Sequence, residues 1–400
     1  MRPSLTATAS GYGPGQAIRT SGRTEKTLAD RHAWTEEGAH LVAPGVHRIP
    51  LPLPSDGLRA VNVYAIEAGN GLVLIDSGWA LANALDQLKR SLAAIGAGLP
   101  DVRRFLVTHM HRDHYTQAVD VRRLFGTPIA LGEGEKPSID GLLSGDFRPL
   151  RAQLAILRAA GAAPVADRLT ERTSGIRGQE PEADPVSDPM SPAGPALRPA
   201  ATVGAALGYE APDEWICGQQ VFDVGSRMLT AVQTPGHTRG HVVFVDAEAG
   251  LLFAGDHVLP HITPSIGFQE APSAEPLREY LQSLSVVRRL PDMRLLPAHG
   301  PVSPSTHARI DELTEHHALR LQIMADVLSG GECTGYQVAL SVAWTSRQRK
   351  LSDLDLMNQM LAVCETVYHL DLLVAQGSAV SQAGEDGVRR YQLPATPAVT

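Results

Sequence analysis

The sequence predicts an α/β fold followed by a mainly helical C-terminal region, and three observations predict it. Short apolar runs typical of strands alternate with amphipathic stretches of helical spacing between residues 41 and 131. Strand-like runs return between residues 220 and 297, and helical spacing dominates from residue 305. The length of 400 residues suits two domains, and a hydrophobic content of 43% can fill a sizeable core.

The first half of the predicted fold alternates strands with helices. A helix is expected at 81–95, because Leu81, Leu85, Leu88 and Leu92 recur at helical spacing. Apolar runs bounded by glycine or polar residues are typical of buried strands. We therefore predict strands at about 60–66, 71–75, 102–107 and 127–131, and a further helix at 118–125.

Residues from about 140 to 214 break this alternation and are interpreted as an insertion. A helix is expected at 150–160, and six prolines fall between residues 181 and 199. Proline fixes φ and removes a backbone donor, so this stretch is expected to be flexible and outside the core. Inserted loops often shape a substrate mouth, but an unstructured excursion explains the composition equally well.

The second half repeats the strand pattern and then becomes helical. The strand-like runs are short and end in polar residues or glycine, as strands of a packed sheet do. Two short strands after the last helix are expected to form a small wing. The predicted strands lie at 220–224, 228–233, 242–245, 251–254 and 294–297, the helices at 276–290, 307–328 and 354–374, and the wing strands near 379–380 and 390–393.

The composition excludes several classes of protein. A formal net charge of −8 argues against a generally nucleic-acid-binding surface. No run of 18 apolar residues occurs, so no membrane span and no membrane partner are expected. Cys217, Cys333 and Cys364 are odd in number and far apart, which fits small residues in a reducing compartment rather than a disulfide framework. We therefore expect a cytoplasmic protein.

The N-terminal residues differ in composition from the rest of the chain. They are rich in Gly, Ser and Thr, carry Arg2, Arg19 and Arg23, and contain no acid before Glu25. They have no apolar core segment, so they do not form a secretory signal. We predict a disordered leader over 1–35, and a transit peptide remains the alternative.

Four segments, each following a strand-like run, carry candidate metal ligands. The densest is the run from 105 to 114, which ends in three histidines and an aspartate. Neutral imidazole and carboxylate are ligands for zinc and other first-row metals. In extended backbone, residues two apart share a side, so His109, His111 and Asp113 are expected to converge while His114 faces a second ion. The complete candidate set is His109, His111, Asp113, His114, His237, Asp256 and His299.

These segments resemble the metallo-β-lactamase fold superfamily. Its H-x-H-x-D-H motif matches residues 109–114, and its other motifs match Asp76, His237, Asp256 and His299 in order. The resemblance covers about residues 40–304 and implies an αββα four-layer sandwich. The C-terminal region resembles the winged-helix-like domain of lactamase-like endoribonucleases and related hydrolases, which suggests a glyoxalase II-like or endoribonuclease-like branch. The predicted domains are therefore a leader (1–35), a catalytic domain (36–304, with the insertion at about 140–214) and a winged-helix-like domain (305–400).

The resemblance also implies roles for individual residues. His109, His111 and His237 would hold one ion, Asp113, His114 and His299 the other, and Asp256 would bridge them. Asp113 would also orient the nucleophile. The expected cofactors are two divalent ions, with zinc preferred and iron or manganese as alternatives. Around the ligands, Asp76 would steady the ligand loop, His241 is expected to be a structural hydrogen-bonding residue, and Tyr115 and His261 are candidates for the substrate pocket.

The leading functional hypothesis is a dinuclear metal-dependent hydrolase that directs a metal-bound hydroxide at an ester-like bond. A thioester or other carboxylic ester of a small molecule is the preferred substrate, and a homodimer is left open. The first alternative is an endoribonuclease or phosphodiesterase of the same fold. Residues 306–400 carry seven Lys or Arg and eleven Asp or Glu, a net charge of −4, so nucleic acid is not the expected partner. A β-lactamase or lactonase ranks lower still.

Overall fold

Two β-sheets packed face to face form the centre of the fold. The computed structural model describes residues 32–54, 58–144, 147–176, 207–225, 227–345 and 347–395. The chain divides into two compact units, 1–34 and 35–400, and the elements below belong to the second. Most of the predicted leader, and all of the proline-rich stretch at 181–199, lie outside the described residues.

The first sheet has seven strands whose spatial order follows their order in the chain. Its first four strands pair antiparallel, and the pairs from β4 to β7 are parallel. The predicted strand at 102–107 is found with the predicted bounds. The strands are β1 (His40–Ala43), β2 (Val46–Pro52), β3 (Ala60–Glu67), β4 (Leu72–Ile75), β5 (Val102–Val107), β6 (Ile129–Gly132) and β7 (Glu214–Ile216).

The second sheet has five strands in the spatial order β12-β11-β10-β9-β8. Only the β11–β12 pair is parallel. β10 and β11 are buried along their whole length, as expected for strands covered on both faces. The strands are β8 (Gln220–Asp223), β9 (Met228–Gln233), β10 (Val242–Asp246), β11 (Leu251–Gly255) and β12 (Arg294–Pro297).

Three apolar clusters give the fold its layers. One cluster lies between the sheets, where the rings of Tyr64 and Phe253 meet edge to face at 5.4 Å. A second joins the outer face of the first sheet to helices α1 (Ala82–Ala94), α2 (Arg112–Phe125) and α3 (Lys136–Leu143). The third joins the outer face of the second sheet to the remaining helices. The helix–sheet–sheet–helix sandwich predicted from the sequence is confirmed.

The insertion and the C-terminal region share the third cluster. Its apolar side chains come from the second sheet, from the insertion helices and from the C-terminal helices alike. The helix predicted at 150–160 is found at Arg151–Ala159, and a second helix follows at Ala163–Ile176; together they bury Leu157, Val165 and Leu169. The helices are α4 (Arg151–Ala159), α5 (Ala163–Ile176), α6 (Pro276–Arg288), α7 (Thr306–Leu328), α8 (Gly335–Ser341) and α9 (Leu356–Ala375).

A small sheet closes the C-terminal region. Its strands are β13 (Cys333–Thr334), β14 (Val380–Ala383) and β15 (Arg389–Gln392), in the order β13-β15-β14. The hairpin of β14 and β15 lies where the sequence predicted a wing. Within the described ranges, no helix is both long and apolar enough to cross a membrane.

Backbone hydrogen bonds between the two large sheets bring several strand ends together. Val242 of β10 donates its N–H to the carbonyl of Thr108, just after β5, at 2.8 Å. Asn62 of β3 donates to the carbonyl of Ala298, just after β12, at 2.7 Å. These bonds join the sheets at the edge where β5, β11 and β12 end. The candidate ligands follow those strand ends.

Candidate metal centre

Three histidine nitrogens converge on one point. His109 Nε2 lies 2.9 Å from His111 Nδ1, and His237 Nε2 lies 3.2 Å from the first and 3.1 Å from the second. In a tetrahedral zinc site, bonds of about 2.0–2.1 Å place neighbouring nitrogens about 3.3 Å apart. The spacing of the three nitrogens therefore fits a single ion of this size.

The opposite ring nitrogen of each histidine donates a hydrogen bond. His111 Nε2 donates to the carbonyl of Phe268 at 2.7 Å, and His237 Nδ1 donates to the carbonyl of Ser265 at 2.6 Å. His109 Nδ1 donates to Thr108 Oγ1 at 3.1 Å. Because each proton is held on the far side of its ring, three lone pairs face one another at the convergence point. Such an arrangement is repulsive unless a cation lies between the lone pairs.

A second cluster lies beside the first. Asp113 Oδ2 is 3.5 Å from His114 Nε2 and 3.4 Å from His299 Nε2. Asp256 lies between the clusters: its Oδ2 is 3.5 Å from His237 Nε2, and its Oδ1 is 3.4 Å from His299 Nε2. One carboxylate thus presents an oxygen to each cluster, as a bridging ligand does.

Three buried atoms of the second cluster lack an ordinary partner. Among the residues that the structure describes, His114 Nε2, His299 Nε2 and Asp256 Oδ1 are buried without a hydrogen bond. The other nitrogens of the two rings are occupied, since His114 Nδ1 donates to Asp76 Oδ2 at 2.9 Å and His299 Nδ1 to the Ala60 carbonyl at 2.8 Å. Buried polar atoms without partners are costly, so their presence on one small volume indicates a ligand. The donor set fits a divalent ion in each cluster.

A family profile matches the part of the chain that forms these two clusters. The profile of the metallo-beta-lactamase superfamily matches residues 56–299, which is more than half of the chain and contains all seven candidate ligands. The chain belongs to the metallo-β-lactamase superfamily. This assignment identifies it as a metal-dependent hydrolase, and the fold family implies divalent metal ions.

Individual metallo-β-lactamase relatives resemble the chain to different extents. A probable metallo-hydrolase of Bacillus subtilis, YqjP, is 22% identical over 346 residues, covering 84% of this chain and 93% of that protein. The lactamase-like protein nscB of Aspergillus fumigatus is 36% identical over 109 residues, which are 27% of this chain and 31% of nscB. The higher identity of nscB is therefore confined to a segment, whereas the resemblance to YqjP runs through most of both proteins.

Two solved structures of the same superfamily superpose on most of this chain. A metallo-beta-lactamase family protein from Thermus thermophilus superposes with a TM-score of 0.66 at 23% identity, covering 88% of this chain and 100% of that one. A beta-lactamase domain protein from Burkholderia ambifaria gives a TM-score of 0.66 at 25% identity, covering 89% and 93%. In both cases the coverage extends well beyond the family profile at residues 56–299.

The local backbone explains how the six-residue motif at 109–114 supplies ligands to both clusters. Only the segment up to His111 is extended, since His111 is the residue that precedes α2 and Asp113 and His114 lie in its first turn. The prediction of an extended run through Asp113 is therefore wrong. Because the chain turns into a helix after His111, Asp113 and His114 both reach the second cluster.

Asp76 stands behind both clusters. Its Oδ1 accepts hydrogen bonds from the N–H of Thr108 at 2.8 Å and from Thr108 Oγ1 at 2.9 Å. Its Oδ2 accepts from His114, so one buried carboxylate orients His114 directly and His109 through Thr108. Asp76 has a φ of 60°, in the left-handed region. Asn and Asp tolerate that conformation better than other side chains with a Cβ atom.

The electrostatics of the metal-free site differ between the clusters. Burial, reinforced by the neighbouring His111, lowers the pKa of His237 to about 3, and burial also lowers the pKa of His109. Burial lowers the pKa of His114 as well, but Asp113, Asp76 and Asp256 outweigh it and raise the value to about 10. The first cluster therefore presents neutral imidazoles at neutral pH, and His114 has to lose a proton before it can bind an ion.

The remaining predicted residues occupy different places. His241 is buried beside the ligands: its Nδ1 donates to Thr234 Oγ1 at 2.8 Å, and its Nε2 accepts from the N–H of Asp256 at 3.2 Å. It thus holds the backbone of Asp256. His261 is exposed in the loop after Asp256. Both places are compatible with the expected roles, which stay predictions.

The structure does not support Tyr115 as a pocket residue. Its side chain is fully buried, its hydroxyl donates to the Glu210 carbonyl at 2.7 Å, and its ring stacks on Tyr209 at 6.0 Å. Tyr115 lies on the face of α2 that packs against the first sheet together with Ala118 and Val119. A side chain in this position supports the chain around 209–210 rather than facing a substrate.

The sequence did not reveal several partners of the ligands. The carbonyls of Ser265 and Phe268 orient two histidines, and backbone acceptors have no sequence signal. Thr108 and the buried Glu135 were also missed. Thr108 directly follows a predicted strand and precedes a ligand loop, which is a usable signal, whereas Glu135 lies four residues beyond the predicted strand at 127–131 and offers none.

Proposed function

We propose that this chain is a dinuclear hydrolase that cleaves an ester-like bond, with small-molecule thioesters and carboxylic esters as the preferred class. The position of Asp256 supports this most strongly, because its two oxygens face two separate clusters of ligand atoms. A single-ion or purely structural site would need no such carboxylate between two sets of ligands.

Each ligand has a defined part in this proposal. His109, His111 and His237 would hold one ion, Asp113, His114 and His299 would hold the other, and Asp256 would serve both. When bound, divalent ions lower the pKa of a water molecule towards about 7 and so supply hydroxide at neutral pH. Asp113 accepts a hydrogen bond from the attacking water and orients it towards the substrate carbonyl.

The charge of the site favours acyl transfer. Asp113 and Asp256 are the two carboxylates among the ligands. Two carboxylates do not cancel two divalent ions, so the loaded site stays cationic. A cationic site stabilises the anionic tetrahedral state through which ester and thioester hydrolysis passes.

The chemistry of the donors favours zinc. Five of the seven ligands are histidines and no cysteine takes part. Imidazole with one or two carboxylates suits zinc in tetrahedral or five-coordinate sites, and iron and manganese accept the same donors. We therefore propose zinc as the bound metal. Metal analysis of protein purified without added metal distinguishes zinc from iron and manganese.

The decisive experiment for this proposal is a substrate panel. Zinc-loaded protein is assayed on an aryl thioester, a carboxylic ester, a lactone, nitrocefin, a phosphodiester and RNA. The thioester or ester should be turned over fastest, chelation should abolish the activity, and zinc should restore it. The double variant His111→Ala with His237→Ala should be inactive. Hydrolysis that survives this double substitution would contradict the mechanism.

One outcome of the panel would change the substrate class alone. Metal-dependent RNA cleavage at moderate salt, faster than thioester hydrolysis, would favour the endoribonuclease alternative. The C-terminal region's net charge of −4 counts against that outcome, since phosphate binding needs clustered Lys and Arg.

A further inference from the structure

A buried carboxyl group lies under the metal centre and belongs to none of the ligands. Glu135 ends the short helical turn Glu133–Glu135 that follows β6, and its side chain is fully buried. Thr238 Oγ1 donates to Glu135 Oε1 at 2.5 Å. Thr238 is itself fully buried and directly follows His237.

The other oxygen of the carboxyl group has no partner of its own. Glu135 Oε2 is buried, and no hydrogen bond reaches it from the residues that the structure describes. Within that part of the chain, Thr238 is therefore the hydrogen-bond donor that links Glu135 to a ligand loop, and that loop carries His237.

Close backbone contacts fix the position of Glu135. A Cβ atom at Gly240 would lie 2.2 Å from the Glu135 nitrogen, and one at Gly134 would lie 2.5 Å from the Arg239 carbonyl oxygen. Neither distance is sterically allowed, so these two segments pack without an intervening side chain. The main chain at Glu135 therefore packs directly against the main chain of the His237 loop.

We propose that Glu135 is a positioning residue of the metal centre: it accepts the hydrogen bond of Thr238, holds the His237 loop against the end of β6, and so sets where His237 Nε2 lies relative to the nitrogens of the other two histidines. The inference rests on the proposed metal-binding role of those histidines. It is independent of which bond the enzyme cleaves.

The cost of burying Glu135 supports a specific role. Burial raises the pKa of Glu135 to about 7, although the hydrogen bond from Thr238 opposes the shift. An apolar side chain of similar size would fill the space without that penalty. What an apolar side chain could not provide is an acceptor for the buried hydroxyl of Thr238.

The test uses Thr238, because Thr238→Val removes the hydroxyl and nearly preserves the volume. Metal affinity is measured by competition with a chromophoric chelator, and the geometry of the first cluster by the visible absorption of cobalt-substituted protein. Thr238→Val should bind metal roughly 10–100-fold more weakly, the range found when a group orienting a metal ligand is removed. The cobalt bands should shift, and Thr238→Ser, which keeps the hydroxyl, should restore both properties.

A matched control separates positioning from general stability. Thr127 is also buried, and its hydroxyl donates to the Val102 carbonyl at 3.2 Å, away from the ligand loops. Thr127→Val should lower the melting temperature of the metal-free protein without changing metal affinity or the cobalt spectrum. If Thr238→Val behaves like Thr127→Val in all three measurements, the inference is overturned.

A second variant keeps the test decisive if Thr238→Val does not fold. Glu135→Gln preserves shape but replaces the carboxylate with a weaker amide acceptor for the Thr238 hydroxyl, so it should weaken metal binding in the same direction as Thr238→Val. Wild-type affinity and spectrum in Glu135→Gln would refute the role of the carboxylate. Because metal affinity is the readout, failure of the proposed ester hydrolysis in the wild-type protein would leave this result interpretable.

Discussion

Asp76 and His114 are joined by a hydrogen bond of 2.9 Å between Oδ2 and Nδ1. The bond leaves His114 Nε2 facing the second cluster, where it has no hydrogen-bond partner among the described residues. Asp76 also accepts from the hydroxyl of Thr108, which in turn accepts from His109. A single carboxylate therefore fixes the ring orientation of one histidine in each cluster.

Replacing Asp76 should weaken both clusters. Asp76→Asn tolerates the left-handed backbone but offers one acceptor oxygen instead of two, so His114 or Thr108 loses its acceptor. We expect metal affinity to fall about 10–100-fold in chelator competition. Asp86→Asn, on the exposed face of α1, is the matched control and should bind metal as the wild type does. Equal affinities for both variants would contradict the role of Asp76.

Removing a ligand of the second cluster should change the metal content. His299→Ala deletes one of the four side chains proposed around that ion, and we expect bound metal to fall from about two equivalents to about one. The exposed His261 provides the control, since His261→Ala should retain both equivalents even if it alters the KM. Elemental analysis after gel filtration measures the result. Two equivalents in His299→Ala would exclude His299 as a ligand.

Metal binding should release protons at about pH 7. The pKa of His114 is about 10 in the metal-free site, and that of His299 is also raised, because Asp256 and Asp113 outweigh the effect of burial. Both rings must be neutral to bind an ion, so His114 should release about one proton on loading and His299 should add to the number. Calorimetry in buffers of different ionisation enthalpy measures this number. Affinity should also increase with pH between about 7 and 9, and a pH-independent affinity would argue against protonated histidines.

The loop that carries His237 should be intolerant of a side chain at Gly236. Gly236 has a φ of +136°, and a Cβ atom there would lie 2.4 Å from the Cα of Tyr280 in α6. Backbone strain and overpacking add, so Gly236→Ala should reduce the free energy of unfolding by at least about 3 kcal/mol. Gly250 has a φ of +64° and open space around it, and Gly250→Ala should cost about 1–2 kcal/mol. Urea unfolding of the metal-free proteins compares the two variants. Similar losses of unfolding free energy would show that the His237 loop shifts to accommodate the added methyl group.

The sequence was sufficient for the sandwich and for the list of candidate ligands, for a physical reason. Strands such as 72–75 and 251–255 are buried along their whole length and have continuous apolar sequences, and each candidate ligand follows a strand-like run. The helix that starts at Arg112 was predicted to start at 118, because its first turn consists of ligands and polar residues and lacks apolar spacing. The ligands in the first turn therefore hid the apolar spacing by which the start of this helix would have been predicted.

Other features depend on tertiary contacts that a single sequence does not display. The candidacy of Tyr115 for the pocket rested on the family resemblance, although its spacing with Ala118 and Val119 is that of a core face. The carbonyls of Ser265 and Phe268 carry no side-chain signal. Likewise, Glu135 became informative only when the structure brought β6 beside the loop at 238.

Anomalous diffraction at the zinc edge from zinc-soaked crystals tests the central claim most directly. We predict two peaks separated by about 3.5–4 Å. One should lie about 2.0–2.1 Å from His109 Nε2, His111 Nδ1 and His237 Nε2, and the other at a similar distance from His114 Nε2 and His299 Nε2, with Asp256 between them. A single peak, or peaks that contact neither histidine set, would contradict a dinuclear centre built from these seven residues.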